Sequence, residues 1–243
     1  MEGARGREER INELLGNAAP LMSFVGGSAG DDIQFKKTWA VRAFAGKSEL
    51  AEDGTALMVL EMGAPFMVLK TCSAVPSARD VKITKADPAR RLVLELDGQP
   101  AAKRYAELLG TTPEKLGFPD FLRHPLGLMI DGEPWLRSLV RVEGDGLFVA
   151  CAVLDGMMLR LMDPADLVAT TTRALADAQI TLGRPVAAGV LFNCAYRMIE
   201  AQVTGAEERY HAALSNVVHA GVHSNGESWL GHLNQTLTGL LIG

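Results

Sequence analysis

An asparagine, a cysteine and an arginine follow an apolar run in the segment GVLFNCAYRMIE. The apolar part is typical of a buried strand, so Asn193, Cys194 and Arg197 are delivered to its end, where they either close a turn or face a cavity. A buried guanidinium needs a partner, and its planar fork matches a carboxylate through two parallel hydrogen bonds. That partner is either the carboxylate of a bound ligand or Glu227 in the later segment SNGE, and the sequence leaves both open.

The segment GGSAGDD, residues 26–32, is a second candidate site, and we call it the glycine loop. Glycines allow backbone N–H groups to approach a ligand closely, so Gly27 and Ser28 are candidate contacts. The segment lacks the lysine of a phosphate-binding loop, and Asp31 and Asp32 would repel a phosphate but attract an ammonium group. The alternative is a tight turn with solvated aspartates.

Three other kinds of residue carry weaker signals. Arg137 lies between apolar residues in WLRSL, so it is a further candidate partner for an anion. Cys194 acts as a nucleophile only with a base beside it, and because no such base is specified, a buried inert thiol is the alternative. His124, His223 and His232 fall in expected loops or strands and are candidates for lining a cavity.

Composition limits the classes of function. The net charge of −5 argues against a nucleic-acid surface, which needs clustered Lys and Arg. The three cysteines show no metal-ligand spacing, which favours a reducing compartment. No apolar run approaches the roughly 20 residues that cross a bilayer. We therefore expect a cytoplasmic protein with neither a membrane nor a nucleic-acid partner.

The arrangement of elements predicts the fold class. Strands are expected over most of residues 37–98, with Ala56 to Met62 among them. Two later helices are expected, one capped by Asp163 and one opened by a capping box of Thr204 and Glu207. Sequential strands with helices in groups favour an α+β fold, with mixed, largely antiparallel sheets packed against helices like a sandwich. One large domain and two lobes are both compatible with the length.

Seven phrases, taken in order along the chain, resemble one family. They are GGSAGDD, ITKADPARRLVLELDGQPAAKRYAELLG, HPLGL, WLRS, GVLFNCAYR, SNGE and HLNQT. Their order and spacing are similar to those of the FIST sensory domain, a two-part ligand-sensing module of bacterial signalling proteins that also occurs in eukaryotic F-box proteins. The resemblance covers nearly the whole chain from about residue 20.

The resemblance implies both a division of the chain and a role. Residues 1–80 resemble the end of the N-terminal FIST part, which would be truncated, and residues 81–243 resemble a complete C-terminal part. The implied role is a small-molecule-binding sensory domain in intracellular signal transduction, with a signalling kinase, a cyclase or a chemoreceptor as partner. Some members of the family bind haem to sense nitric oxide, so haem is the alternative to having no cofactor.

Complementary charges favour an amino acid or a related small polar metabolite as the ligand, because the aspartates suit an ammonium group and the arginines suit a carboxylate. The candidate ligand-binding residues are Gly27, Ser28, Asp31, Asp32, Arg137, Asn193, Cys194, Arg197, Glu227 and Asn234. This hypothesis requires Arg197 to border a hollow shared with the glycine loop and Glu227. No catalytic residue and no metal ligand is expected. The competing hypotheses are a haem-based nitric oxide sensor, an enzyme that uses Cys194 or a carboxylate, and a signalling scaffold without a ligand.

Overall fold

Two units make up the chain in the computed structural model, which describes residues 1, 3, 6–32, 34, 36–52 and 54–243. The first unit contains residues 1–72 and 166–243, and the second contains residues 73–165. In sequence, the second unit is therefore inserted into the first. The division near residue 80, which the family resemblance implies, concerns segments of sequence and stays a prediction.

The described residues form six α-helices and seventeen strands, with short 3-10 turns at Pro88–Arg90 and Pro113–Lys115. The helices are α1 Glu8–Ala18, α2 Ala101–Leu109, α3 Phe118–Arg123, α4 Leu167–Leu182, α5 Ala195–Val203 and α6 Glu207–Leu214. None of these helices has the length and apolarity that crossing a membrane requires. The strands are β1 Gly26–Gly27, β2 Ala40–Phe44, β3 Lys47–Ala51, β4 Phe66–Cys72, β5 Ala74–Asp87, β6 Leu92–Leu96, β7 Gln99–Pro100, β8 Leu126–Ile130, β9 Glu133–Arg137, β10 Leu139–Glu143, β11 Gly146–Val149, β12 Met158–Pro164, β13 Ala188–Cys194, β14 His219–Ser224, β15 Glu227–Ser228, β16 His232–Leu233 and β17 Thr236–Ile242.

A four-stranded sheet in the order β14-β13-β17-β4 organises the first unit. β13 pairs in parallel with β14 and antiparallel with β17, and β17 pairs antiparallel with β4. Helices α5 and α6 form the crossover between the two parallel strands, which cannot be joined by a short turn. Apolar side chains from the sheet and the helices pack together on one face as a core: Leu69, Leu167, Leu175, Ala178, Leu191, Ala201, Tyr210, Leu214, Val217, Leu237 and Leu241.

A small antiparallel sheet of β1, β15 and β16 lies beside the end of β13. Gly27 makes this approach possible, because a Cβ atom at that position would lie only 2.8 Å from the Cβ of Ser224 and 3.0 Å from the ring of Phe192. The early glycine loop is thus packed tightly against the late part of the chain.

The second unit is built on an eight-stranded antiparallel sheet in the order β10-β11-β6-β5-β12-β8-β9, with β7 paired to β6. Its own core is formed by buried apolar residues of the sheet and of α2 and α3, and these include Val81, Ile83, Val93, Tyr105 and Phe121. The fold class predicted from the sequence is confirmed: the chain is α+β, with mostly antiparallel sheets and one parallel pair.

Both expected helix starts were placed wrongly. Asp166 caps α4, since its Oδ1 accepts the N–H of Ala169 at 2.7 Å, whereas Asp163 lies in β12. Thr204 ends α5 instead of opening α6, because its hydroxyl donates back to the carbonyl of Glu200 at 2.6 Å. Both errors have one cause: several polar residues near a helix start can serve as caps, and the neighbouring elements decide which one does.

The strand expected over Ala56–Met62 is also wrong. These residues have no regular secondary structure, and residues 56–61 are exposed. Alternation and β-propensity indicate only that a segment can be a strand, whereas pairing with a neighbour is what makes it one.

Removing a core side chain of the first unit tests this packing. We expect Leu241→Ala, at a position with no exposed surface, to lower the free energy of unfolding by about 2–5 kcal/mol through lost burial and a residual cavity. The control is Leu21→Ala, because Leu21 is fully exposed and its truncation should leave stability nearly unchanged. Urea unfolding followed by circular dichroism measures both, and equal midpoints for the two variants would contradict the assignment of the core.

Candidate functional site

The last two residues of β13, Asn193 and Cys194, have side chains on opposite faces of the central sheet, because side chains alternate along a strand. Asn193 lies on the face covered by the helices, where its side-chain oxygen contacts Arg197 and Tyr210. Cys194 lies on the other face and interacts with Glu227. The candidate residues of the first unit therefore form two clusters, which lie on opposite faces of the same sheet.

Arg197 is the centre of the cluster on the helix face. The sequence predicted a turn after β13, but α5 begins at once, so Arg197 lies in the first helical turn, four residues after Asn193. Its Nε donates to Oδ1 of Asn193 at 3.2 Å and to the Tyr210 hydroxyl at 3.3 Å, and its Nη2 donates to the Thr171 hydroxyl at 2.7 Å. The Tyr210 hydroxyl in turn donates to Oδ1 of Asn193 at 2.7 Å. Every one of these acceptors is neutral.

Within the part of the chain that the structure describes, no counter-charge contacts the guanidinium of Arg197. The residue has no exposed surface, its Nη1 has no hydrogen-bond partner, and no carboxylate of the described residues forms an ion pair with it. The internal Arg197–Glu227 pair that the sequence left open is therefore wrong. Glu200 and Glu227 act on the guanidinium only through their electrostatic fields. A buried ion without an ion-pair partner costs several kcal/mol.

A cavity of about 140 Å³ lies in the groove between α6 and β14, directly beside this cluster. Its lining residues are Leu191, Asn193, Met198, Tyr210, His211, Leu214, His219, Gly221, Val222, His223 and Leu237. Two partners of the buried guanidinium thus form part of the wall. Arg197 itself, the glycine loop and Glu227 do not line this cavity, and Arg197 and Glu227 have no hydrogen-bond partner in common. The prediction of a hollow shared by those three groups is therefore wrong.

Glu227 is the centre of the cluster on the other face. Its Oε1 accepts from the Ser224 hydroxyl at 2.9 Å, and its Oε2 accepts from the backbone N–H and the hydroxyl of Thr236 at 3.2 and 2.7 Å. Burial raises the pKa of Glu227 to about 8, although the hydrogen bonds from Thr236 and Ser224 act in the opposite direction. The carboxyl group therefore keeps its proton at neutral pH.

Cys194 is in the wrong environment for a nucleophile. Burial raises the pKa of its thiol well above the usual range, and the neighbouring Glu227 acts in the same direction. Thiol chemistry needs a lowered pKa and access to a substrate, and Cys194 is buried. The environment supports the alternative of an inert thiol.

Three more candidates lie near Glu227. Gly27 pairs directly with Glu227 across β1 and β15, and the N–H of Ser28 donates to the carbonyl of Gly226 at 2.8 Å. The Ser28 hydroxyl and Oδ1 of Asn234 are buried and have no hydrogen-bond partner among the residues that the structure describes. The structure therefore brings these residues together on the face opposite to the groove, and their role as ligand contacts stays a prediction.

The two aspartates of the glycine loop have a structural use. Oδ2 of Asp31 accepts the backbone N–H groups of Lys36 and Lys37 at 2.6 and 3.0 Å, which closes the loop. Asp32 has a φ of 56°, a left-handed conformation typical of turns. Neither residue lines the groove, and these contacts favour the turn over an ammonium site.

Arg137 is the one candidate that belongs to the second unit, where it is buried at the end of β9 opposite Leu126. Sequence reasoning did not select Thr171 and Tyr210 as site residues, although both bind Arg197. A signal existed for Thr171, because a threonine on the apolar face of a helix leaves a buried hydroxyl that needs a partner.

The pKa of Glu227 predicts a pH dependence of stability. The folded state holds a proton that the unfolded state releases above about pH 4.5, so stability is greatest below that pH and falls as the pH rises to about 8. We expect Glu227→Gln to remove this slope, because its amide can accept from Thr236 and donate to Ser224 without titrating.

Urea midpoints between about pH 5 and about pH 8 measure the effect of pH on stability. The matched control is Glu208→Gln, at an exposed position of α6, which should keep the slope of the unmodified chain. An unchanged slope in Glu227→Gln would show that Glu227 is ionised in the folded state.

Two family models match the chain. The FIST C domain model matches residues 101–229, and the FIST N domain model matches residues 1–99. The chain is 30% identical to the uncharacterized protein MJ1623 of Methanocaldococcus jannaschii over 169 residues, which are 64% of this chain and 32% of that protein. It therefore spans about a third of the length of this relative, and no solved structure matches it. The chain belongs to the FIST family, whose domains are sensory domains of signal transduction.

Proposed function

We propose that the chain is a sensory domain that binds a small metabolite carrying a carboxylate, in the groove between α6 and β14. The observation that carries this proposal is the buried Arg197, which among the described residues has no ion-pair partner and has one Nη1 group without a hydrogen bond. Two of its neutral partners, Asn193 and Tyr210, line the groove. A ligand carboxylate that displaces them supplies the missing counter-charge and forms charge-assisted hydrogen bonds, which are stronger than the neutral ones that it replaces.

The size and polarity of the groove limit the ligand. Its volume of about 140 Å³ is close to that of engineered cavities that admit a benzene-sized molecule. No aspartate or glutamate is among the lining residues, whereas His211, His219 and His223 are. The groove therefore suits a small carboxylate, including a short amino acid, and it selects by the acid group rather than by the amine.

Binding at this point provides a route to a signal. Asn193 ends β13 and Arg197 lies in the first turn of α5, so their hydrogen bond spans the junction of strand and helix. A ligand that takes the place of the Asn193 oxygen releases α5 from this contact and changes the surface of the helix. A signalling kinase, a cyclase or a chemoreceptor that reads this surface is the partner in our proposal, and no chemical step is needed.

Haem is the competing ligand. Three histidines line the groove, and histidine is the commonest type of axial ligand in several haem classes. Pockets that enclose drug-sized ligands measure about 300–1,000 Å³, so haem would require the groove to open widely. A Soret band that appears on adding haem, and is lost in a variant with His211, His219 and His223 replaced by alanine, would replace the metabolite proposal with this one.

A thermal-shift screen that compares small carboxylates with their own neutral amides tests the proposal. We expect a carboxylate to raise the melting temperature and its amide to have no effect, because only the carboxylate carries a negative charge that can pair with Arg197. A ligand at 100 times its Kd should add about 2.7 kcal/mol of stability. A screen in which no carboxylate raises the melting temperature of the folded chain would contradict the proposal.

Two neighbouring substitutions locate the site. Met198 lines the groove, whereas the next residue, Ile199, does not. We expect Met198→Trp to fill the cavity and abolish the shift, and Ile199→Trp to keep it. Arg197→Lys keeps the charge but loses the planar fork, so it should weaken binding by at least about tenfold. A ligand that still binds the folded Met198→Trp chain would place the site elsewhere.

A further inference from the structure

The central sheet of the first unit ends in an unusually open edge strand. β14 lies at the end of the strand order, and residues 219–223 are all exposed. The carbonyl of Val218 accepts from the N–H of Gly189 in β13 at 2.9 Å. Because successive backbone groups of a strand alternate in direction, the N–H and C=O groups of His219, Gly221 and His223 point away from β13. Such an edge is a template for another strand.

The same chain carries a segment suited to that edge. Residues 56–61, with the sequence ALMVLE, are exposed and belong to no helix or strand. Leu57, Met58 and Val59 have 60%, 75% and 77% of their surface exposed. The segment is rich in apolar residues and contains neither proline nor glycine, which is the composition of a strand that pairs readily when it is left open.

We propose that residues 56–61 of one copy of this chain add as a strand to β14 of a second copy. Each copy carries both the donor segment and the acceptor edge, so the contact can be made twice about a two-fold axis, which closes a dimer. This inference concerns an interaction surface and does not depend on the proposed ligand.

The charge of the donor segment suits the acceptor edge, and the length of the chain excludes the edge of the same copy. The segment carries one charge, Glu61, and the groove beside β14 is lined by three histidines and lies next to the buried guanidinium of Arg197, with no carboxylate in its wall.

The chain cannot make the contact with its own edge. A strand added outside β14 lies four strand spacings from β4, or about 19 Å. The chain from residue 61 to the start of β4 at residue 66 reaches at most about 18 Å when fully extended, before any detour around the sheet.

Light scattering coupled to size-exclusion chromatography of the purified chain tests the proposal. We expect a mass of twice 26.0 kDa at micromolar concentration. Val59→Lys places a charge in the donor segment, and His219→Pro removes an outward N–H from the edge strand without touching the pairs with β13. Each variant should shift the mass towards 26.0 kDa. Circular dichroism verifies that each is folded, and Val59→Lys lies outside every helix and strand, so it keeps the test valid if the proline variant unfolds.

The matched control is Ile180→Lys, which introduces the same charge at a position of α4 that is 78% exposed and should remain dimeric. Mixing the two monomeric variants should restore a weak mixed dimer, because the Val59→Lys copy keeps an intact edge and the His219→Pro copy keeps an intact segment. A wild-type chain of 26.0 kDa at all concentrations would overturn the proposal, as would a dimer that survives both substitutions.

Discussion

A positive charge held in the protein interior by neutral oxygens is the constraint on which the first unit depends. Arg197 of α5 binds Asn193 at the end of β13, Thr171 of α4 and Tyr210 of α6. One side chain therefore ties the central strand to three helices. Neutral acceptors bind Nε and Nη2 of the guanidinium but leave Nη1 without a partner among the described residues. They do not supply a counter-charge, because a hydroxyl or amide dipole replaces hydration only in part. In the proposed function, this contact between strand and helices is also the one that the ligand carboxylate displaces.

The two polar clusters are coupled through the sheet although they face opposite ways. The field of Arg197 lowers the pKa of Glu227 and so works against the burial that raises it. An anion bound at Arg197 would cancel that field, and the Glu227 carboxyl would then hold its proton more tightly. Because linkage is reciprocal, protonation of Glu227 favours the anion to the same extent. The field of Arg197 thereby couples anion binding on one face of the sheet to the protonation of Glu227 on the other face.

The sequence indicated the fold class, the family and the importance of Arg197, because strand alternation, ordered phrases and a charge after an apolar run are all local signals. It did not reveal the partners of Arg197. Thr171 and Tyr210 lie 26 and 13 residues away and meet it only through packing of the helices, whereas Asn193 is at helical spacing and could have been found. The predicted ion pair between Arg197 and Glu227 was wrong for another reason. It required an ionised Glu227, but burial raises the pKa of this carboxyl group so that it is neutral.

The groove and the open edge share one residue, Gly221, which lines the groove and lies in β14. A Cβ atom at Gly221 would lie 2.5 Å from the carbonyl of Leu191, so only glycine lets β14 approach β13 this closely. Because the groove is bounded by the outermost strand, a strand added to that edge would extend its wall. Binding in the groove and pairing at the edge would then share a boundary, so each would change the affinity of the other.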